Sequence, residues 1–200
     1  MRATQPFSVH QIPEPNISRF LFADPRLGLL WLLLRLYVGY VWLSAGLDKL
    51  TQSDGLWVGD KAGVAVSGFL RGALEKTDGA RPDVQGFYAW FIQNVALPNS
   101  TVFSYLVTYG ELLVGTALIL GLFTGIAAFF GGFLNASFLL AGTVSTNPVL
   151  FILATFLVLG WRVAGYVGLD YFVLPRVGVP GSPGLLFRPV ETSPLNDEAL

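Results

Sequence analysis

"LGLLWLLLRLYVGYVWLSAGLDKL", residues 27–50, is the stretch on which the fold turns. At ~1.5 Å of rise per helical residue it covers the ~30 Å hydrocarbon core of a bilayer. It contains no proline, and its one central charge is Arg35. It is too long for the apolar region of a signal peptide, and no small-x-small cleavage pattern follows it. The expectation is a retained transmembrane helix. Three further runs have the same character: 101–121, 123–142 and 148–173. None contains a proline beyond its first turn, so four uninterrupted helices are expected. Pro148 suits the start of the fourth and Pro175 its end.

Composition agrees. Of 200 residues, 53% are hydrophobic and 12% charged, with a mean hydropathy of +0.60. Soluble domains carry roughly 25% charged residues. The net charge of −1 offers no basic footprint for nucleic acid. There is no cysteine, one histidine (His10, in the N-terminal arm) and one methionine (Met1), which leaves no ligand set for an iron–sulfur cluster, a haem or another metal site inside the spans. Any electrons this protein handles must be held by a partner or a mobile carrier.

The connections differ in length. "GLFTG" (121–125) and "GTVSTN" (142–147) are tight, so the last three spans are antiparallel neighbours. Residues 51–100 form a long aromatic-rich loop. Its segments 64–74 and 83–97 are too short and too polar to span, and read as helices lying in the interface. Trp57 and Trp90 are expected at headgroup level. The architecture is therefore an all-α integral membrane protein: an N-terminal arm (1–26), a four-helix membrane domain (27–175) with this outer loop, and an extended Pro/Gly-rich tail (176–200). Arg2, Arg19 and Arg26 before the first span and Arg176 and Arg188 after the last place both termini in the cytoplasm by the positive-inside rule.

Each span carries one stripe of small and polar residues, the pattern that lets membrane helices approach and exchange hydrogen bonds. The stripes are Arg35, Gly39, Trp42, Gly46 and Lys49; Ser104, Thr108, Glu111 and Gly115; Gly131, Asn135, Phe138 and Gly142; and Thr155, Arg162, Tyr166 and Asp170. Ionisable residues within a span face the bundle interior and mark function. Counted from the span ends, Arg35, Glu111 and Arg162 fall in one layer, with Asp170 a turn or two nearer the cytoplasm. Lys49 and Asp48 sit at the outer end, where they are expected to snorkel to the interface. The buried layer suits a packing network, a polar ligand headgroup or a proton path through Glu111.

These residues also resemble a known family. Arg35 followed by Ala45-Gly46-x-x-Lys49, Gly110-Glu111-Leu112-x-x-Gly115, and Arg162-x-x-Gly165-x-x-x-Leu169-Asp170 are similar to the pattern of DoxX proteins over residues ~30–175. The likeness is greatest to the DoxD-like branch, the membrane subunit of thiosulfate:quinone oxidoreductase. It implies a four-helix membrane bundle in a bacterial or archaeal plasma membrane, working with a DoxA-type partner subunit. It implies quinone as cofactor, and electrons drawn from thiosulfate or another sulfur compound. Glu111, Arg162 and Arg35 are then the candidate catalytic residues, and Trp42, Asn135, Tyr166 and Asp170 complete the ligand-binding set. The competing reading is a non-catalytic accessory subunit of a larger respiratory or photosynthetic membrane complex.

Overall fold

A computed structural model describes residues 15–51 and 54–177, and every regular element among them is helical. His10, Arg188 and the tail from 178 onward lie outside the described residues. The elements are α1 (Asn16–Ala23), a 3-10 turn (Pro25–Leu27), α2 (Gly28–Thr51), α3 (Val64–Leu74) and α4 (Gly86–Phe91), which continues as a π turn (Ile92–Ala96). Then come α5 (Ser100–Leu120), α6 (Thr124–Leu140), α7 (Asn147–Leu159), α8 (Trp161–Ala164), α9 (Asp170–Val173) and a closing 3-10 turn (Leu174–Val177). The segment read only as an N-terminal arm thus contains a helix, α1.

Two helices, Pro25–Thr51 and Ser100–Leu120, are long and apolar enough to cross a membrane. Two shorter apolar helices, Thr124–Leu140 and Asn147–Leu159, lie beside them. Their outward faces are hydrophobic all the way along: Ile126, Phe129, Phe130 and Phe133 on α6, and Val149, Ile152, Phe156 and Leu159 on α7, are all more than 40% exposed. Patches of that extent would be prohibitive in water and are ordinary against lipid.

The fourth run does not form one helix. It breaks at Gly160, makes the single turn of α8, and resumes only at Asp170. The expected continuous span over 148–173 is corrected accordingly. Glycine is the weakest helix former after proline, and here it has a packing role as well. A methyl on Gly160 would lie 2.7 Å from the Trp31 indole, and one on Gly165 would strike the Asp170 carboxylate.

Glycines also set the tightest contact, between α2 and α5. Methyls at Gly39 and Gly46 would come within 3.1 Å of Ile119 N and 2.9 Å of Leu112 N, and one at Gly115 would strike the Leu43 backbone. The α5–α6 pair is fixed the same way, with Gly131 against Val114 and the Trp42 indole, and Gly110 against Leu134. These contacts define a register: Leu43 faces Gly115, Gly46 faces Leu112, and Asn135 falls at the height of Gly110 and Glu111.

The loop between α2 and α5 folds into a cap with its own core of Val66, Leu70, Ala73, Val84, Ile92, Ala96 and Ala141. The helices expected within 64–74 and 83–97 are present. The cap is tied to the bundle by Ser104 Oγ donating to Trp57 O (2.6 Å), Tyr88 Oη to Ser137 O (2.9 Å) and Lys76 Nζ to Gly142 O (2.8 Å). Burial pushes the Tyr88 phenol up, so it stays a neutral donor. Trp90 is 62% exposed, whereas Trp57 turns inward and packs on the cap core.

Candidate functional site

The polar stripes converge at two heights rather than in one layer. The outer centre, beneath the cap, is built on α2, α5 and α6. Glu111 is 1% exposed, and its Oε2 accepts from Lys49 Nζ at 2.7 Å. Lys49 therefore does not snorkel outward. Every Cα–Cβ bond on a helix tilts toward that helix's N-terminus, so Lys49, near the C-terminal end of α2, leans back into the bundle. Its ammonium lies 3.5 Å from Ala45 O and 4.9 Å from the centroid of the Trp57 ring. Trp57 thus covers the ion pair from the cap side, a cation–π arrangement that strengthens when water is excluded.

The helices that carry this pair, with α6, also hold buried polar atoms that have no partner among the described residues. Asn135 is fully buried, and neither its Nδ2 nor its Oδ1 is hydrogen-bonded. The same holds for Trp42 Nε1, beside Gly131 one turn along α6, and for Thr108 Oγ1, one turn along α5 from Glu111. An unsatisfied buried donor or acceptor costs about 1–3 kcal/mol. Such groups call for a partner, whether water, an ion or a ligand.

The inner centre is built on Arg35, the α5–α6 turn and α9. Arg35 is 1% exposed and donates from Nη2 to Val167 O at 2.8 Å, while its Nε and Nη1 have no partner. The guanidinium presses on Gly121 and Gly168, where any side chain would strike it. Asp170 is also buried, and its carboxylate accepts from Phe123 N (2.5 Å) and Thr124 N (2.8 Å), the first free amides of α6. Asp170 N donates to Gly121 O (2.7 Å), so α9 clasps the turn from both directions. A carboxylate at a helix N-terminus satisfies orphan donors and complements the dipole, and it offsets the Arg35 charge through space. Tyr166 belongs to this end too, against Gly28 and edge-on to Tyr171 at 6.0 Å.

Of the expected layer, then, only Glu111 stands at the outer centre. The α2–α5 register puts Arg35 about 12 residues, or ~18 Å, from the height of Glu111, because α2 begins well below the α5–α6 turn. Arg162 joins neither centre: it is exposed and lies over its neighbour Trp161 at 5.2 Å. Trp42 and Asn135 are brought to Glu111, while Tyr166 and Asp170 stand with Arg35. Lys49 is the residue that sequence reasoning left outside the site. The signal for it was present in the shared face of Trp42, Gly46 and Lys49. Among the described residues, no group of three His, Cys, Asp or Glu could hold a metal ion.

The profile of the DoxX family matches residues 30–144, from the start of α2 past the end of α6. This chain belongs to the DoxX family. It is accordingly a membrane protein, and the matched region contains the whole outer centre, with Lys49, Trp57, Glu111 and Asn135. From the inner centre the DoxX match includes Arg35 and Thr124 but stops before Asp170. Comparison with curated proteins and with solved structures returned no match.

Proposed function

We propose that this DoxX protein is the membrane subunit of a quinone-linked oxidoreductase, and that its outer centre is the quinone headgroup site. The observation that carries the reading is the buried Lys49–Glu111 pair set among hydrogen-bonding atoms that the protein leaves unpaired. A quinone ring presents two carbonyl acceptors on an apolar body. Asn135 Nδ2 and Trp42 Nε1 are buried donors without acceptors, and Val114 and Val38 belong to the apolar wall beside Trp42. The residues present fit the group.

When bound, a quinone supplies a two-electron, two-proton acceptor. The chain's own contribution is polar and protonic. Asn135 and Trp42 orient carbonyl oxygens. Lys49 Nζ and Glu111 Oε2, 2.7 Å apart, hold and exchange a proton away from water. Trp57 shields the pair on the cap side. Electrons come from a sulfur compound such as thiosulfate, oxidised on a DoxA-like partner subunit, since this chain has no cysteine with which to carry them. In this reading the protein crosses a bacterial or archaeal plasma membrane four times, with both termini in the cytoplasm.

The test is purification with its partners, followed by solvent extraction of bound lipid-soluble cofactor. Quinone is expected in the wild type. Glu111→Gln should lower quinone-linked activity by about a hundredfold or more, the lower end for removing a positioned acid–base group, and Asn135→Leu, which removes a carbonyl-orienting donor, should lower it as well. Absence of quinone, with activity unchanged in both variants, overturns the reading. The second reading, an accessory subunit of a larger complex, draws on the outward aromatic ridge of Phe129, Phe130 and Phe133 on α6. It requires partner contact along that ridge, and a lone monomer in mild detergent overturns it.

A further inference from the structure

The helix α1 is the one element that the outer and inner centres leave unexplained. It packs only one side on the protein: Phe22 meets Trp31 with ring centroids 5.9 Å apart, and Trp31 Nε1 donates to Leu21 O at 2.9 Å. Most of its other residues are exposed. Ile17 is 71% exposed, Phe20 45% and Leu21 40%, with Arg19 exposed between them. A 3-10 turn at Pro25–Leu27 joins α1 directly to α2, whose first outward residues, Leu29, Leu30 and Leu33, are also exposed. The apolar side of α1 is therefore continuous with the lipid-facing surface of a membrane span.

Among the described residues, the exposed charge at this end that no carboxylate answers is positive. Arg162 on α8, which packs against α1, and Arg176 after α9 are both exposed at this end of the bundle. Among the described residues, the carboxylates at this end are Asp170, buried on the α6 amides, and Asp24, gripped by Arg26 at 2.6 Å. The hydrogen bonds from Arg26 hold the Asp24 carboxyl below its usual range, so it remains the partner of Arg26 rather than of Arg19. An open cleft of about 780 Å³ runs between Asn16, Arg19 and Phe20 on the helix and the Pro25–Arg26 turn. Ala23 and Asp24 line it too, and since Arg26 neutralises Asp24, the cation left over is Arg19, which with the Phe20 ring suits a phosphodiester with an acyl chain beside it.

We infer that α1, with Arg19, Arg162 and Arg176, is a binding surface for anionic phospholipid of the adjoining leaflet, phosphate against the arginines and acyl chains against Ile17, Phe20 and Leu21. The lipid surface fixes the height of α1, and through Trp31 it fixes the end of α2 that carries Arg35. The inference is independent of any redox role.

The experiment uses the full chain in nanodiscs containing equal phosphatidylcholine and phosphatidylglycerol. After transfer to detergent, the retained lipid is counted by native mass spectrometry. The wild type should retain phosphatidylglycerol in preference. Arg19→Gln and Arg162→Gln should each reduce the preference by about fivefold, the worth of one arginine at an anionic surface. Lys61→Gln, in the cap, should leave it unchanged. Equal retention of both lipids by the wild type, an unchanged preference in the Arg19→Gln/Arg162→Gln double variant, or an equal loss with Lys61→Gln overturns the inference. Cross-linking of position 19 to a co-purifying protein or a second copy instead of lipid overturns it too.

Discussion

Glu111 is a buried carboxylate in the middle of α5, and among the described residues one amine, that of Lys49, answers its charge. Removing one member of a buried ion pair leaves the other desolvated and uncompensated, which costs far more than the pair itself contributes. Lys49→Met should therefore lower the unfolding free energy in detergent by about 3 kcal/mol or more. The double variant Lys49→Met/Glu111→Leu should recover to within about 1 kcal/mol of wild type. Both are read from chemical-denaturation midpoints. If the single variant unfolds like wild type, water reaches Glu111 and the pair is not buried in the sense argued. The sequence showed Lys49 on the same face as Trp42 and Gly46, so its membership of the stripe was legible. Its direction was not, because a residue at a span's end reads as interfacial until the backward tilt of the helix Cβ is considered. The same tilt, in the same direction, carries Arg35 toward Val167 and Gly121 and away from Glu111, because Arg35 lies on the N-terminal side of that carboxylate's height. Two residues of like charge on one helix thus serve centres at opposite ends of it.

Glycines, more than apolar side chains, determine how the helices meet. The α2–α5 crossing rests on Gly39, Gly46 and Gly115, and at Gly115 an added methyl would strike backbone, which cannot swing aside. Gly115→Ala should destabilise by about 1–3 kcal/mol through overpacking. Gly68→Ala, on an open face of α3 with nothing within 4 Å, should stabilise by about 0.5–1 kcal/mol through helix propensity alone. Thermal midpoints of the pair in one detergent decide the matter, and equal effects of like sign would show that the crossing is looser than the contacts require. The elements themselves were readable: α2, α5 and α6 lie within a few residues of the apolar runs at 27–50, 101–121 and 123–142. The fourth run misled because apolar length is a property of composition, whereas the break at Gly160 depends on a tryptophan 129 positions earlier in the chain. The clasp at Asp170 explains much of the Arg162-to-Asp170 pattern without Arg162. Gly165 makes room for the carboxylate, and the carboxylate caps α6.

At the scale of the molecule, α2 packs on α5, α5 on α6 and α6 on α7. The cap grips α5 at Thr101 and Ser104 and grips the end of α6 through Lys76 and Gly142. At the other end, Gly125 meets Trp161 and Gly160 meets Trp31. At ~1.5 Å per residue, the 17 residues of α6 and 13 of α7 make about 26 and 20 Å of helix, against about 32 Å for the 21 of α5, so their connections supply the rest of the distance between these contacts. A short helix can cross where its neighbours thin the bilayer or its connections reach the interface. The alternative is a re-entrant hairpin of α6 and α7, which would leave the turn at residues 143–146 inside the hydrocarbon. Charge, length and hydropathy do not separate these topologies, which is why four crossings could be expected from the sequence but not read from it. The absence of native cysteine makes the decision direct. Single-cysteine variants at Gly79 in the cap, at Ser145 in the α6–α7 turn and at Arg176 after α9 are each labelled with a membrane-impermeant maleimide in sealed vesicles of known orientation. With four crossings, Ser145→Cys labels from the same side as Gly79→Cys, and Arg176→Cys only from the other. A re-entrant hairpin leaves Ser145→Cys unlabelled from either side until detergent is added. The first outcome is expected, because Ser145 is exposed and its turn adjoins the cap, so the aqueous compartment that reaches Gly79 must reach it as well.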